Sequence, residues 1–246
     1  MSVPRERLLQ AARDVVGDDG LEGLTLRAIA RRAGVSHGAP LRHFPTLAAL
    51  LSAVAADGFS RLIAAVDAHL DDADAAAQAT GTVLDPRQRL AVAGRAYIDF
   101  ALADPGVFSV TFRPERVDVD DADYQTQGFA SFNQLVDLVK AAQAGGWQAE
   151  LPADQLAAVF WAHVHGLAVL MVHGALPAVV GEEAVGGLHD LSVLLALGVT
   201  IPTTGGAAPV PAATAAAVPA SDHPGHDQPT DDHPTDDHPT DEGSPT

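Results

Sequence analysis

The sequence predicts an all-α protein of about nine helices, arranged as two domains and a tail without a core of its own. Apolar residues recur three and four positions apart in segment after segment up to about residue 199, and no clear run alternates apolar with polar as a strand would. Proline, glycine, aspartate and threonine stand at the ends of several of these segments, where they start or stop helices. The expected division is residues 1–46, 47–200 and 201–246.

The first helix is expected over residues 4–17, with Leu8, Ala12, Val15 and Val16 as its inward stripe, and it is closed by Gly17-Asp18-Asp19-Gly20. In the next, Leu26, Ile29, Ala30 and Ala33 repeat at i, i+3, i+4 and i+7, which turns Arg27, Arg31 and Arg32 away from the core. The Thr25 hydroxyl can cap it by accepting from an amide two or three residues on. Gly34 stands where a left-handed residue ends a helix at low cost. Ser36 then offers a second N-cap, so the side chains from His37 onward would project from the start of another helix. Two short helices joined by a glycine turn form the layout of a helix-turn-helix, whose second helix reaches base edges with its first residues. Pro40 complicates this helix: it lacks an amide proton and biases Ala39 away from helical angles, which delays the helix start.

A long fourth helix begins with Leu47, Leu50, Leu51, Val54 and Leu62, and residues 71–81, with no large apolar side chain, read as its solvated end or as a linker. Asp85-Pro86 starts the next helix, carrying Leu90, Val92, Tyr97, Ile98, Phe100 and Ala101 until Asp104-Pro105 breaks it. A short helix holds Val107, Phe108 and Phe112, followed by an acidic loop over 113–123. Helices are then expected over 124–144, ended by Gly145-Gly146, over 153–175, and over 182–199 with Leu188, Leu191, Leu194 and Leu195. Residues 156–180 contain no Asp, Glu, Lys or Arg. That length would permit a membrane span, but His163, His165, His173, Gly166, Gly174 and Pro177 suit lipid poorly and no Lys/Arg cluster flanks the segment. A helix apolar all round is expected between its own domain and a partner subunit, with no membrane involved.

Leu24-Thr25-Leu26-Arg27-Ala28-Ile29-Ala30, Ala33-Gly34-Val35-Ser36 and His43-Phe44-Pro45 together resemble the N-terminal domain of the tetracycline-repressor (TetR) family of bacterial transcription factors. Trp161-x-x-x-His165-Gly166, with Tyr97-x-x-Phe100-Ala101-x-x-x-Asp104-Pro105 upstream, is similar to the regulatory domain of a subgroup named for its Trp, His and Gly. The resemblance implies an N-terminal helix-turn-helix DNA-binding domain and a C-terminal helical ligand-binding and dimerisation domain. It implies phosphate contacts from Thr25, Ser36 and His43. Leu41 and Leu47 stand where the family carries an aromatic and often a lysine, so Arg42 and amides at helix starts would supply the rest of the grip, and Arg27 is also assigned to the DNA-binding surface. Base reading would fall to His37, Gly38, Ala39 and Pro40, through a purine edge or a thymine methyl; a solvated surface histidine is the other reading of His37. The resemblance also places a small-molecule effector pocket among the middle helices, where Tyr97, Phe100, Phe108, Phe112, Phe129, Phe132, Trp161 and His165 gather, although core packing explains the same rings. The last two helices of two subunits would form a four-helix interface.

The formal net charge of −18 opposes binding to a polyanion unless it is segregated. It is segregated: residues 1–60 carry seven arginines against six acids, a balance of +1, whereas residues 201–246 carry eight acids and no base. That tail is rich in Ala, Pro, Thr and Gly and repeats Asp-Asp-His-Pro-Thr at 231–235 and 236–240. It cannot bury a core and is expected to be disordered. Its histidines, among them His223, His226, His233 and His238, could hold Ni²⁺, Zn²⁺ or Cu²⁺ weakly, but an acidic solubilising tail is the expectation, with no cofactor and no metal site. The chain has no cysteine, and no phosphate loop, dinucleotide fingerprint, nucleophile elbow or zinc-protease motif, which argues against an enzyme. Met1 to Arg7 lack an apolar signal region, so a cytoplasmic location is expected. The sequence therefore points to a ligand-responsive homodimeric regulator, a repressor released by a hydrophobic effector from a palindromic double-stranded DNA operator. The competing reading is a metal- or partner-binding helical scaffold whose helix-turn-helix has decayed.

Overall fold

The computed structural model describes residues 5–181 together with 183, 185 and 187. Among the described residues there are eight α-helices, two short 3₁₀ turns and no strand. The helices are α1 (Arg5–Asp19), α2 (Leu26–Arg32), α3 (Leu47–Ala79), α4 (Pro86–Ala103), α5 (Pro105–Thr111), α6 (Ala122–Ala144), α7 (Ala153–Val172) and α8 (Ala175–Val180). The 3₁₀ turns are Pro40–Arg42 and Pro114–Arg116. The second of these lies inside the segment expected to be an irregular acidic loop. Of the expected helix over 182–199 only residues 183, 185 and 187 are described, all three helical; the rest of that segment and the tail lie outside the described residues.

Local chemistry sets most of the boundaries. Thr46 caps α3 by accepting from the Ala49 amide, and Asp85 opens α4 with a capping box in which Gln88 reaches back to the Asp85 amide. Gly146, at φ 89°, ends α6 in the left-handed region, with its own amide on Gln143 and that of Trp147 on Ala142. Gly174, at φ 69°, divides the expected helix over 153–175 into α7 and α8. The periodicity alone could not show this break, because the residues on both sides are apolar.

Helix α3 has 33 residues, about 50 Å of helix, and it serves two cores. Its first turns, through Leu50, Leu51 and Val54, pack with Leu8, Val15, Ile29 and Phe44. Its later turns, through Leu62, Val66 and Leu70, pack with Leu90, Ile98, Val139 and Val164. Each large aliphatic side chain buried in this way contributes roughly 1.5–3 kcal/mol. Residues 71–79 thus continue a helix rather than forming a linker. Helix α5 also straddles both cores, since Val110 belongs to the first and Val107 and Phe108 to the second.

Close approaches hold α5 in place. A Cβ at Gly106 would lie 3.0 Å from backbone atoms of Val16 and Gly17, so the start of α5 abuts the C-terminal part of α1. A Cβ at Gly58 would lie 2.1 Å from Thr111 Oγ1, so α3 and α5 can pack this closely only because residue 58 is glycine. The ion pairs Arg13–Asp57 at 2.7 Å and Arg61–Asp104 at 2.9 Å tie α1 to α3 and α3 to the cap of α5.

Helix-turn-helix surface and aromatic cavity

Helix α2 buries Ala28, Ile29 and Ala30 and leaves Arg27, Arg31 and Arg32 exposed. Thr25 Oγ1 accepts from the Ala28 amide at 3.1 Å, as its position suggests. The helix ends in a Schellman motif: Gly34, at φ 65°, donates to Arg31 and Val35 donates to Ala30. Arg32 is paired with Asp18 at 2.8 Å.

The segment after the turn differs from the expectation. Ser36 does not cap a helix through its hydroxyl; its carbonyl accepts from the Ala39 amide at 2.9 Å. Residues 37–39 form a turn, and helical structure begins only at Pro40, as the 3₁₀ turn to Arg42. The missing amide proton of Pro40 suits it to the first position of such a turn. Ala39 nevertheless lies in the right-handed helical region, at φ −63° and ψ −40°, against the bias a following proline imposes. His43 and Phe44 both donate to the Pro40 carbonyl, which closes the segment against the bundle. Phe44 is buried beneath the Arg5 guanidinium, 5.2 Å from its ring centre.

Of the residues assigned to DNA, Thr25, Arg27, Ser36, His37, Gly38 and Arg42 are exposed. Ala39 and His43 are half-buried, and Pro40 is buried. Leu41, which the sequence marks only as a lost phosphate contact, is 52% exposed between Pro40 and Arg42. An exposed leucine there is an apolar contact of the kind a thymine methyl accepts.

The second site is a cavity of about 420 Å³ walled by α3, α4, α6 and α7 together with Phe112. Tyr97, Phe112, Phe129, Phe132 and Trp161 line it. Phe129 is 67% exposed and marks the opening to solvent. Phe100 and Phe108 are buried in the core behind the wall, and His165 also stands behind it. The sequence reading missed Phe59 and Tyr124, whose rings are 5.8 Å apart, and Leu62 and Val66 beside them. The spacing of Phe59, Leu62 and Val66 at i, i+3 and i+7 is the signal that would have placed them on one face of α3.

A short polar chain lies behind the aromatic wall. Trp161 Nε1 donates to the Tyr97 hydroxyl at 3.3 Å, and that hydroxyl lies 2.7 Å from His165 Nδ1. The indole can only donate, so the Tyr97 proton is directed to His165, which fixes the neutral histidine with its own proton on Nε2. Burial pushes the Tyr97 phenol well above its ordinary range, with the Trp161 hydrogen bond opposing it weakly, and burial lowers the His165 pKa. Both shifts favour the neutral pair. Phe112 meets His165 edge-to-face at 5.0 Å and Phe108 at a tilt at 5.1 Å, so the same ring meets the cavity, the polar chain and α5.

Residues 8–54 match the family model for bacterial regulatory proteins of the tetR family, and residues 90–186 match that for the tetracyclin repressor-like C-terminal domain. The second match contains Trp161, His165 and Gly166. No curated protein matches the chain. Among solved structures, the chain is similar to a protein with unknown function from Rhodococcus sp. RHA1, at 33% identity over 77% of this chain and 93% of that one, with a TM-score of 0.60. Its fold is also that of the fatty acid degradation regulator FadR from Bacillus halodurans, at 14% identity over 80% of this chain and 100% of that one, TM-score 0.60. A transcriptional regulator from Rhodococcus sp. Rha1 shares the fold at 24% identity over 81% of this chain and 100% of that one, TM-score 0.56. The helix-turn-helix, the all-helical second core and both family matches agree: the chain belongs to the tetR family of bacterial transcriptional regulators.

Proposed function

We infer that the protein acts as a homodimeric repressor that binds a palindromic operator and is released by a small hydrophobic effector. The observation that carries this reading is α5, which contacts both ends of the proposed switch. Its Val107 and Phe108 belong to the regulatory core beside the cavity, its Val110 belongs to the core of the helix-turn-helix, and its Gly106 abuts α1. A ligand that displaces Phe112, the residue that caps α5, acts on a helix already seated against the DNA-reading bundle. A coupling of about 1–3 kcal/mol between the two sites is enough for switching.

Dimerisation is supported by the two faces of α7. Ala157, Phe160, Val164 and Ala168 are buried in the protomer, whereas Val159, Ala162, Gly166 and Leu170 form an exposed apolar row at i, i+3, i+7 and i+11. Such a row needs a partner helix to leave water. A single reader of this size covers half a site, and a two-fold axis supplies the other half.

The division of labour on the reading surface can be measured by titrating the selected operator and its single-base variants. His37→Ala should relax preference at one position per half-site by about 1–3 kcal/mol. Arg42→Ala should weaken all sequences alike and reduce the salt slope by about one. Equal, sequence-blind losses from both would remove His37 from base reading.

A further inference from the structure

We propose that the cavity selects its effector by charge, taking an uncharged, largely apolar small molecule and rejecting both anions and cations of the same shape. This rests on the reading of the cavity as the effector site. Among the described residues, none of those lining it is Asp, Glu, Lys, Arg or His. The wall is built mainly from aromatic rings and aliphatic side chains, and its polar groups are few and mostly committed to partners within the protein.

The commitments can be followed one by one. Trp161 Nε1 donates to Tyr97, and Tyr97 donates to His165 behind the wall. The Gln134 amide donates to the Asp67 carboxylate at 2.7 Å and to the Ile63 carbonyl at 3.4 Å. The Gln125 amide donates to the Val119 carbonyl at 2.9 Å. The lining hydroxyls of Tyr124 and Ser131, both on α6, remain for a ligand. Two hydroxyls can orient an ester, ketone or ether oxygen, but they cannot replace the hydration of a carboxylate without a cation beside it. Three charged side chains on the same helices do not supply one: Asp67 places a negative charge behind Gln134, Arg61 is held by Asp104, and Lys140 is held by Asp137.

A cation meets a different obstacle. Ring faces attract it, but no carboxylate lines the wall among the described residues, and Asp67 stands behind Gln134, out of contact with a ligand in the cavity. A buried cation would therefore lose water without gaining a counter-charge. A neutral ligand loses little on entry and gains the ring contacts, so charge discrimination follows from what the wall lacks. The His165–Tyr97–Trp161 chain reinforces it, because the Tyr97 proton is directed away from the cavity and does not serve a ligand anion.

The test uses full-length protein and calorimetric titration at neutral pH. The probes are phenylbutyl, biphenyl and decyl skeletons, each as methyl ester, carboxylate and trimethylammonium. Ala158→Trp, a substitution at an exposed residue of the lining, fills the cavity without disturbing the core. The expected result is that at least one ester binds ten-fold or more tightly than its carboxylate and its trimethylammonium partner, and that Ala158→Trp abolishes this binding. Binding of a carboxylate or an ammonium probe as tight as its ester, lost in Ala158→Trp, would overturn charge selection while leaving the cavity as the ligand site. No binding by any probe, or binding equal in wild type and Ala158→Trp, would overturn the cavity reading and the proposal with it.

Discussion

Replacing Leu170 by glutamate is expected to give a folded protomer that no longer pairs and no longer holds its operator. Leu170 is 46% exposed on the isolated protomer, on the outward row of α7 that also carries Val159 at 69%. A charge there is hydrated in a monomer and costs the protomer fold little. In the proposed two-fold interface it is desolvated without a partner, at about 3–5 kcal/mol. The axis presents it twice, so the dimer constant should weaken by roughly a thousand-fold or more, since each 1.4 kcal/mol is about ten-fold. Operator binding should fall with it, because the specificity of a half-site reader depends on pairing. The control is Val83→Glu, in the loop between α3 and α4, where the side chain is 88% exposed; it should change neither mass nor affinity. A Leu170→Glu protein that stays dimeric at low micromolar concentration and retains full operator affinity would show that this face of α7 is not the interface. Leu191, Leu194 and Leu195, on the helix expected over 182–199, lie outside the described residues, and a charge introduced at each in turn should give at least one variant that is folded yet monomeric.

Gly58→Ala should destabilise the protein although alanine is the better helix former by about 1 kcal/mol. The new Cβ would lie 2.1 Å from Thr111 Oγ1 and 3.1 Å from Val107 Cγ1. Neither atom can move freely: Thr111 is fully buried, and its hydroxyl donates to the Val107 carbonyl at 2.8 Å. Forcing a methyl into such a contact costs about 1–3 kcal/mol, or several degrees in Tm. Thr111→Ala removes the obstructing oxygen at the cost of its own packing. The double variant should therefore be less destabilised than the sum of the two singles by about 1 kcal/mol or more. Additive effects in that cycle, or a Gly58→Ala protein as stable as wild type, would mean that α3 and α5 are farther apart than described.

The sequence made the helix ends legible wherever local chemistry determines them. Thr25 caps α2, Gly34 and Gly146 end their helices at positive φ, and Asp85-Pro86 opens α4, each for a reason contained within a few residues. Where two local preferences conflict, the outcome depended on the surroundings. Pro40 and Ser36 argued for different helix starts, and the bundle resolved this by burying Pro40 and holding Ala39 in a helical conformation against its bias. Periodicity showed that the region over 153–175 is helical but not that Gly174 interrupts it, because the pattern carries no sign of a single left-handed residue. The cavity was half legible. Most of its aromatic residues after 90 could be collected by composition, but Phe59 comes from α3 and Tyr124 from the first turn of α6, and the meeting of Phe59 with both Tyr124 and Phe112 is a fact of tertiary packing. For the same reason nothing in the sequence placed Phe108 and His165 behind the wall rather than in it.

The most direct measurement is selection of bound sites from random duplex DNA by the full-length protein. A dimeric helix-turn-helix regulator should enrich an inverted repeat whose half-sites are centred about one helical turn, or a multiple of it, apart, and His37→Ala should lose preference at one position in each half. Retention of DNA without enrichment of any sequence, or no retention at all, would contradict operator recognition and leave a helical scaffold that has kept the family fold and lost its reader.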